Sequence, residues 1–199
     1  MSKAILISIR PKWCELIASG KKTIEIRKTR PKLDTPFKCY IYETKGRVER
    51  PSSDEDGYIY QEGRGAVVGE FVCDEIDTYD YEYCTHPEIE MDYDCGDNWF
   101  CIDDADLKKA CLSYKDFRHY AGKEDVYGWH ISALKMYDEP KKLREFTPCC
   151  TFMLDEKQCD YRKIQCLNQQ DSFLEEDGCN CLNFVKRPPQ SWMYVEELE

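Results

Sequence analysis

Lys21, Lys22, Thr23, Glu25 and Arg27 fall in one short stretch, Gly-Lys-Lys-Thr-Ile-Glu-Ile-Arg (20–27), which gathers two ammonium groups, a hydroxyl, a carboxylate and a guanidinium. That set has two chemical uses. An arginine offers planar, bidentate contact to a phosphate or a base edge, and a lysine offers a point charge. A carboxylate beside them accepts hydrogen bonds from an exocyclic amine, or serves as a general base when its pKa is raised. Lys22 and Glu25 would then be the acid/base pair of an enzyme. The same residues also suit a purely structural purpose, with Glu25 pairing Lys22 or Arg27 to hold the junction they occupy.

The elements that must position these groups are legible around them. Residues 11–19 place Trp13, Cys14, Leu16 and Ile17 at helical spacing, with Pro11 suited to the first turn and Gly20 to the position just past the last. From residue 23 to 29 the pattern alternates: Ile24 and Ile26 point one way, Thr23, Glu25 and Arg27 the other. A helix therefore hands over to a half-buried strand whose polar face carries the charged groups. Arg10 and Trp13, at the start of the helix, complete the set expected to bind a ligand.

The rest of the chain reads as more strands than helices. Residues 4–9 form an apolar first strand, 37–43 a third, 66–76 a fourth in which Gly69 marks a bulge or a close backbone approach, and 126–136 a fifth that Pro140 terminates. Residues 44–64, rich in Gly, Ser, Asp and Arg, read as a mobile loop, and the acidic run 74–107 as irregular. Ser113, followed by Asp116, caps a short helix over 113–120, with another turn at 106–111. Residues 187–197 read as an extended segment that ends in a strand. Irregularly spaced strands with few helices predict an α+β fold, a small mixed β-barrel flanked by helices.

Charge and composition bound the partners. The net charge of −11 over 199 residues argues against avid, non-specific binding of nucleic acid. Its distribution is uneven: residues 1–50 hold 13 Lys and Arg against five acidic residues, whereas 74–107 hold 13 acidic residues and no basic one. No apolar run approaches the roughly 18 residues of a membrane span. Thirteen cysteines without a recognisable secretion signal point to a reducing, cytoplasmic compartment.

Strand, proline-led helix and then Gly20-x-Lys22-x-x-Glu25-x-Arg27 resembles the ASCH domain family. Gly-Glu-Phe (69–71), Tyr-Gly-Trp-His-Ile-Ser (127–132) and Arg-Pro-Pro-Gln-Ser-Trp-Met-Tyr-Val (187–195) resemble its longer, phage- and Firmicute-type members. The resemblance covers residues 3–146 and 186–197. It implies a PUA-like barrel over 1–146 and 184–199, a Cys-rich insertion at 147–183, and RNA or a modified nucleobase or nucleotide as ligand. Some relatives cleave RNA, and one bacterial branch hydrolyses N4-acetylcytidine with a Lys, a Thr and a distant Glu. Its Lys matches Lys22, and Glu124 is the candidate for its distant Glu. Glu25 stands where its Thr would be, so that catalytic role does not carry over. A binding module and a hydrolase both stay open, with binding the first expectation.

Other residues carry weaker signals. Trp13, Tyr40, Trp129 and Trp192 could stack a splayed base, although core packing is the commoner use of such side chains. His130 falls on the strand face opposite Trp129. Cys149, Cys150, Cys159, Cys166, Cys179 and Cys181 could supply a structural zinc site, but no Cys-x-x-Cys pair occurs among them, and the expected cofactor count is none.

Overall fold

A computed structural model describes residues 2–51, 58–83, 98–149 and 184–198. In chain order the elements are β1 (Lys3–Ile9), α1 (Pro11–Ala18), β2 (Ile24–Arg27), β3 (Phe37–Glu43), β4 (Arg47–Pro51), β5 (Tyr58–Glu62), β6 (Ala66–Cys73), β7 (Ile76–Tyr79), β8 (Tyr81–Tyr83), β9 (Asn98–Phe100), α2 (Asp104–Ala110), α3 (Tyr114–Ala121), β10 (Val126–His130), β11 (Ser132–Lys141), a 3₁₀ turn (Leu143–Glu145) and β12 (Trp192–Glu196). The α+β class follows directly.

The apolar run of β1 is continuous because both of its faces are covered. Ile5, Ile7 and Ile9 pack with Cys14 and Ile17 of α1, Cys39 and Ile41 of β3, and Trp129 of β10. Ala4 and Leu6 face the other way, onto Tyr40, Phe146, Val185 and Val195. β1 lies between β3, its parallel partner, and β12, its antiparallel one, in a five-stranded sheet of order β11-β6-β3-β1-β12. A second sheet, β2-β10-β7, carries α2 and α3 on its outer side, where Ile24, Ile26, Tyr79 and Val126 meet Leu107, Ala110 and Phe117.

The two sheets are joined by chain and not by one closed ladder. β6 passes into β7 across Asp74 and Glu75, and β10 into β11 across Ile131, so the same two polypeptide segments serve both sheets. The second crossing puts Ala133 at φ 45°, a left-handed conformation that a residue with a Cβ adopts at a cost. On the remaining side, β12 is bridged to the second sheet by side chains: Trp192 packs at 5.9 Å from Trp129 of β10, and its indole Nε1 donates to Thr29 Oγ1, just past β2, at 3.0 Å. Where the sequence predicts a barrel, the described residues make two ladders that share a core and are closed by side chains.

Several local expectations are met, each for the expected reason. Helix α1 ends in paired hydrogen bonds, Gly20 N–H to Ile17 O and Lys21 N–H to Leu16 O, with Gly20 at φ 71°. This is the Schellman arrangement that glycine accommodates without a Cβ clash. Ser113 caps α3 by accepting from the Asp116 N–H. The β3–β6 register slips between Ile41 and Tyr42, opposite Gly69.

Other expectations are corrected. Residues 44–64 contain an antiparallel hairpin, β4 with β5, in place of a mobile loop. The described parts of the acidic run hold β7, β8, β9 and α2 in place of irregular chain. Pro140 does not end its strand, because β11 is an edge strand where the missing N–H leaves no ladder bond unmade. The strand β2 is not half-buried; all four of its residues are buried. Most of the 147–183 insertion lies outside the described residues, including Cys150, Cys159, Cys166, Cys179 and Cys181.

A Cβ at position 69 would stand 2.7 Å from the Lys135 carbonyl oxygen and 3.0 Å from Met136 Sδ. Gly69→Ala should therefore destabilise the fold by about 1–3 kcal/mol, read as a lower urea midpoint with an unchanged slope. An unchanged midpoint would mean that β6 and β11 are not held this close.

Candidate ligand-binding cleft

The backbone fixes β2 before its side chains act. Thr23 N–H donates to Lys109 O at the end of α2, and Ile131 N–H donates to Thr23 O. Ile24 and Ile26 then face the α2–α3 layer, which turns Glu25 and Arg27 to the opposite side, toward β1 and α1. Glu25 faces Trp129 across the β2–β10 ladder, and Arg27 faces Tyr127.

Burying a carboxylate is costly unless it is paired and hydrogen-bonded. Glu25 is 6% exposed. One of its oxygens lies 3.3 Å from Lys22 Nζ and the other 3.0 Å from Arg27. Lys22, 3% exposed, also donates to Ile24 O at 2.8 Å and to Ala110 O at 2.7 Å. Three N–H donors meet three acceptors, so the ammonium is saturated. Ala110 closes α2, and its carbonyl is one that the helix leaves unpaired, at the negative end of the dipole. Nζ also stands 5.0 Å from the centre of the Trp13 ring.

Arg27 reaches further. It donates to the Ser8 carbonyl at 2.6 Å and contacts Ser191 Oγ at 3.5 Å, tying β2 to β1 and to the residue before β12. Its Nε has no partner, and neither does the indole Nε1 of Trp129, although both atoms are buried. The cluster Lys22–Glu25–Arg27 therefore carries one surplus positive charge and keeps one unused donor, Arg27 Nε, with a second on Trp129 of the neighbouring strand β10. Buried polar groups without partners are rare in folded proteins.

The walls add further groups. Burial pushes the Cys14 thiol well up, and the Glu43 and Glu25 carboxylates push it further, against the opposing effect of Arg64. A thiol held protonated in this way is no nucleophile. Glu43 is itself buried and accepts from the Arg64 N–H. Tyr120 of α3, 41% exposed, has its phenol raised, first by burial of the hydroxyl; Arg27 opposes that shift and Glu25 adds to it.

Of the residues singled out in the sequence, Lys22, Glu25 and Arg27 come together, with Trp13 against them. Arg10 and Lys21 are exposed, and Thr23 contributes its backbone to the junction. His130 is not brought to the cluster. It faces away beside Ile24, with Nε2 2.6 Å from Asp77. Glu124 lies at the surface, 3.8 Å from Lys28. Tyr40 and Trp129 are core residues. Sequence reasoning overlooked Ser8, Ser191 and Tyr120. Ser8 had a signal, being a hydroxyl inside an apolar run, whereas nothing local distinguishes Tyr120. Among the described residues, no group of three or more His, Cys, Asp or Glu side chains is placed to hold a metal ion. No helix among them is long and apolar enough to cross a membrane.

The family model described as the ASCH domain matches residues 7–149. Comparison with curated proteins finds no match. Among solved structures, the crystal structure of ASCH from Zymomonas mobilis is 19% identical, with a TM-score of 0.48, and the match covers 98% of this chain and 88% of that one. A tyrosine-to-phenylalanine variant of the Zymomonas mobilis protein is 18% identical at a TM-score of 0.47, covering 98% and 92%.

Lys22→Met would leave Glu25 paired with Arg27 alone and two buried carbonyls without their donor. We expect a loss of about 3–5 kcal/mol in chemical denaturation, deepened by adding Glu25→Gln, which leaves the buried Arg27 guanidinium without its carboxylate. A single variant as stable as the parent would show that the ion pair does not hold the junction.

Proposed function

Because the chain belongs to the ASCH domain family, we propose that it binds RNA or a modified nucleobase in the cleft beside Lys22, Glu25 and Arg27. The carrying observation is the pairing, on one strand face, of a fixed carboxylate with a neighbouring buried donor that has no partner, Arg27 Nε. A nucleobase edge that presents an N–H next to a C=O is the complement of that pattern. Each Glu25 oxygen keeps lone-pair capacity for such an N–H, and Arg27 Nε suits the carbonyl.

The surroundings favour the same class of ligand. Trp13 and Tyr120 are aromatic surfaces near the cluster, and Tyr120 is one of two large hydrophobic side chains that stand exposed among the described residues. Arg10, Lys12, Lys21 and Lys28 are exposed around it. A basic rim on an otherwise acidic chain suits a short segment or a single nucleotide better than a long polyanion.

Binding is favoured over hydrolysis by the state of Lys22. All three of its protons are committed within the protein, so proton transfer through it would break the bonds to Ile24 and Ala110.

The test combines short RNAs and N4-acetylcytidine with the protein, following binding by calorimetry and products by mass spectrometry. We expect binding of at least one of them without turnover, weakened about tenfold by Tyr120→Ala through the loss of a stacking surface, with little change in Tm for so exposed a side chain. Absence of binding would overturn the reading, and product formation that Glu25→Gln abolishes would replace it with a hydrolase.

A further inference from the structure

The chain between β2 and β3, residues 28–36, leaves the cleft directly from Arg27. It carries a basic side chain at every second position: Lys28, Arg30 and Lys32, all exposed. Two of these lie over aromatic rings. Lys28 Nζ is 5.8 Å from the centre of Tyr120, and the Arg30 guanidinium is 5.7 Å from that of Tyr127. Such stacking orders long side chains that would otherwise be mobile, and a guanidinium plane is itself a surface on which a base can stack.

The segment is also held in place. Thr29 Oγ1 accepts from the Trp192 indole at 3.0 Å, and the Lys32 N–H donates to the Tyr194 hydroxyl at 2.7 Å, so two aromatics of β12 pin it from behind. Leu33 packs against the main core. Between these anchors runs an open groove of about 670 Å³, lined by residues 30–35 and Ile76, in which Asp34 is the one acidic side chain. A groove fixed in advance avoids much of the ordering entropy that binding to a flexible loop would cost.

We infer that this groove is a track for the backbone of single-stranded RNA whose terminal or splayed base occupies the Glu25–Arg27 cleft. The inference rests on the RNA reading of that cleft. Lys28, Arg30 and Lys32 contact successive phosphates, with the weak surface pair between Lys28 and Glu124 giving way to the first of them. Tyr120 and Tyr127 lie under the basic side chains, where the strand leaves the cleft. The three cations recur at every second residue of the segment, in the order in which successive phosphates would meet them.

The experiment compares a dinucleotide with an RNA of about eight nucleotides, by fluorescence anisotropy over a series of salt concentrations. The proteins are the parent chain and the double variant Arg30→Gln, Lys32→Gln, which keeps Lys28 at the cleft. The track predicts that the parent binds the longer RNA more tightly, that the double variant weakens the longer RNA about 5–10-fold at low salt, and that the slope of log affinity against log salt falls by about 1.4 in magnitude. Dinucleotide binding should stay within about twofold of the parent, since the variant leaves the cleft and the Lys28 contact to the first phosphate in place. A double variant that binds the longer RNA like the parent overturns the track, and so does a parent that gains nothing from the added length. Equal loss of dinucleotide binding overturns it as well, since the two cations would then serve the cleft. A parent that binds neither RNA overturns the cleft reading itself.

Discussion

A carboxylate buried to 6% exposure is the constraint from which the rest of this structure follows. Glu25 cannot stay ionised in such a place without compensation, so the chain must bring two cations to it and hold both. Each cation in turn must satisfy its own donors, and the partners it finds belong to other elements. Lys22 joins α2 to β2 through the Ala110 carbonyl, and Arg27 joins β2 to β1 and to Ser191 through Ser8 and its neighbours. Four separate parts of the sequence are thereby fixed around one charge.

The same constraint shapes how the sheets close. Two strand pairs, β6–β7 and β11–β10, run through both sheets and make one side continuous. On the other side no ladder joins β2 to β12. The gap is crossed by Arg27 to Ser191, by Trp192 to Thr29 and by the contact of Trp129 with Trp192. The charged cluster and the basic segment after β2 lie along that seam, through Arg27 to Ser191, Thr29 to Trp192 and Lys32 to Tyr194. Arg27 Nε and Trp129 Nε1, the unpartnered donors, belong to the same seam.

Much of this was legible in the residues. The Pro11 start and Gly20 stop of α1, the Ser113 cap of α3 and the bulge at Gly69 follow from local rules of hydrogen bonding and backbone freedom, which need no distant partner. The errors share the opposite character. The β4–β5 hairpin lies in a stretch dense in Gly, Ser and charge, where turn residues hide the strands they connect. Pro140 reads as a terminator unless the strand is known to be an edge. The acidic run reads as irregular because its helix and strands are short, and pairing specifies them more than propensity does.

The sequence by itself determined the alternation of β2 and the residue types at its head, and so the membership of Lys22, Glu25 and Arg27 in one local set. Those properties depend on neighbours a few residues apart. Which way the polar face points was decided only by the tertiary structure. A period of two places Glu25 and Arg27 together, but it is equally satisfied by a face in water and by a face against β1 and α1. Packing of Ile24 and Ile26 under α2 and α3 turned the charges inward. Burial then converted a solvated strand edge into a fixed, paired cluster, and drew in Ser8, Ser191 and Tyr120 from parts of the chain that no local pattern connects to it.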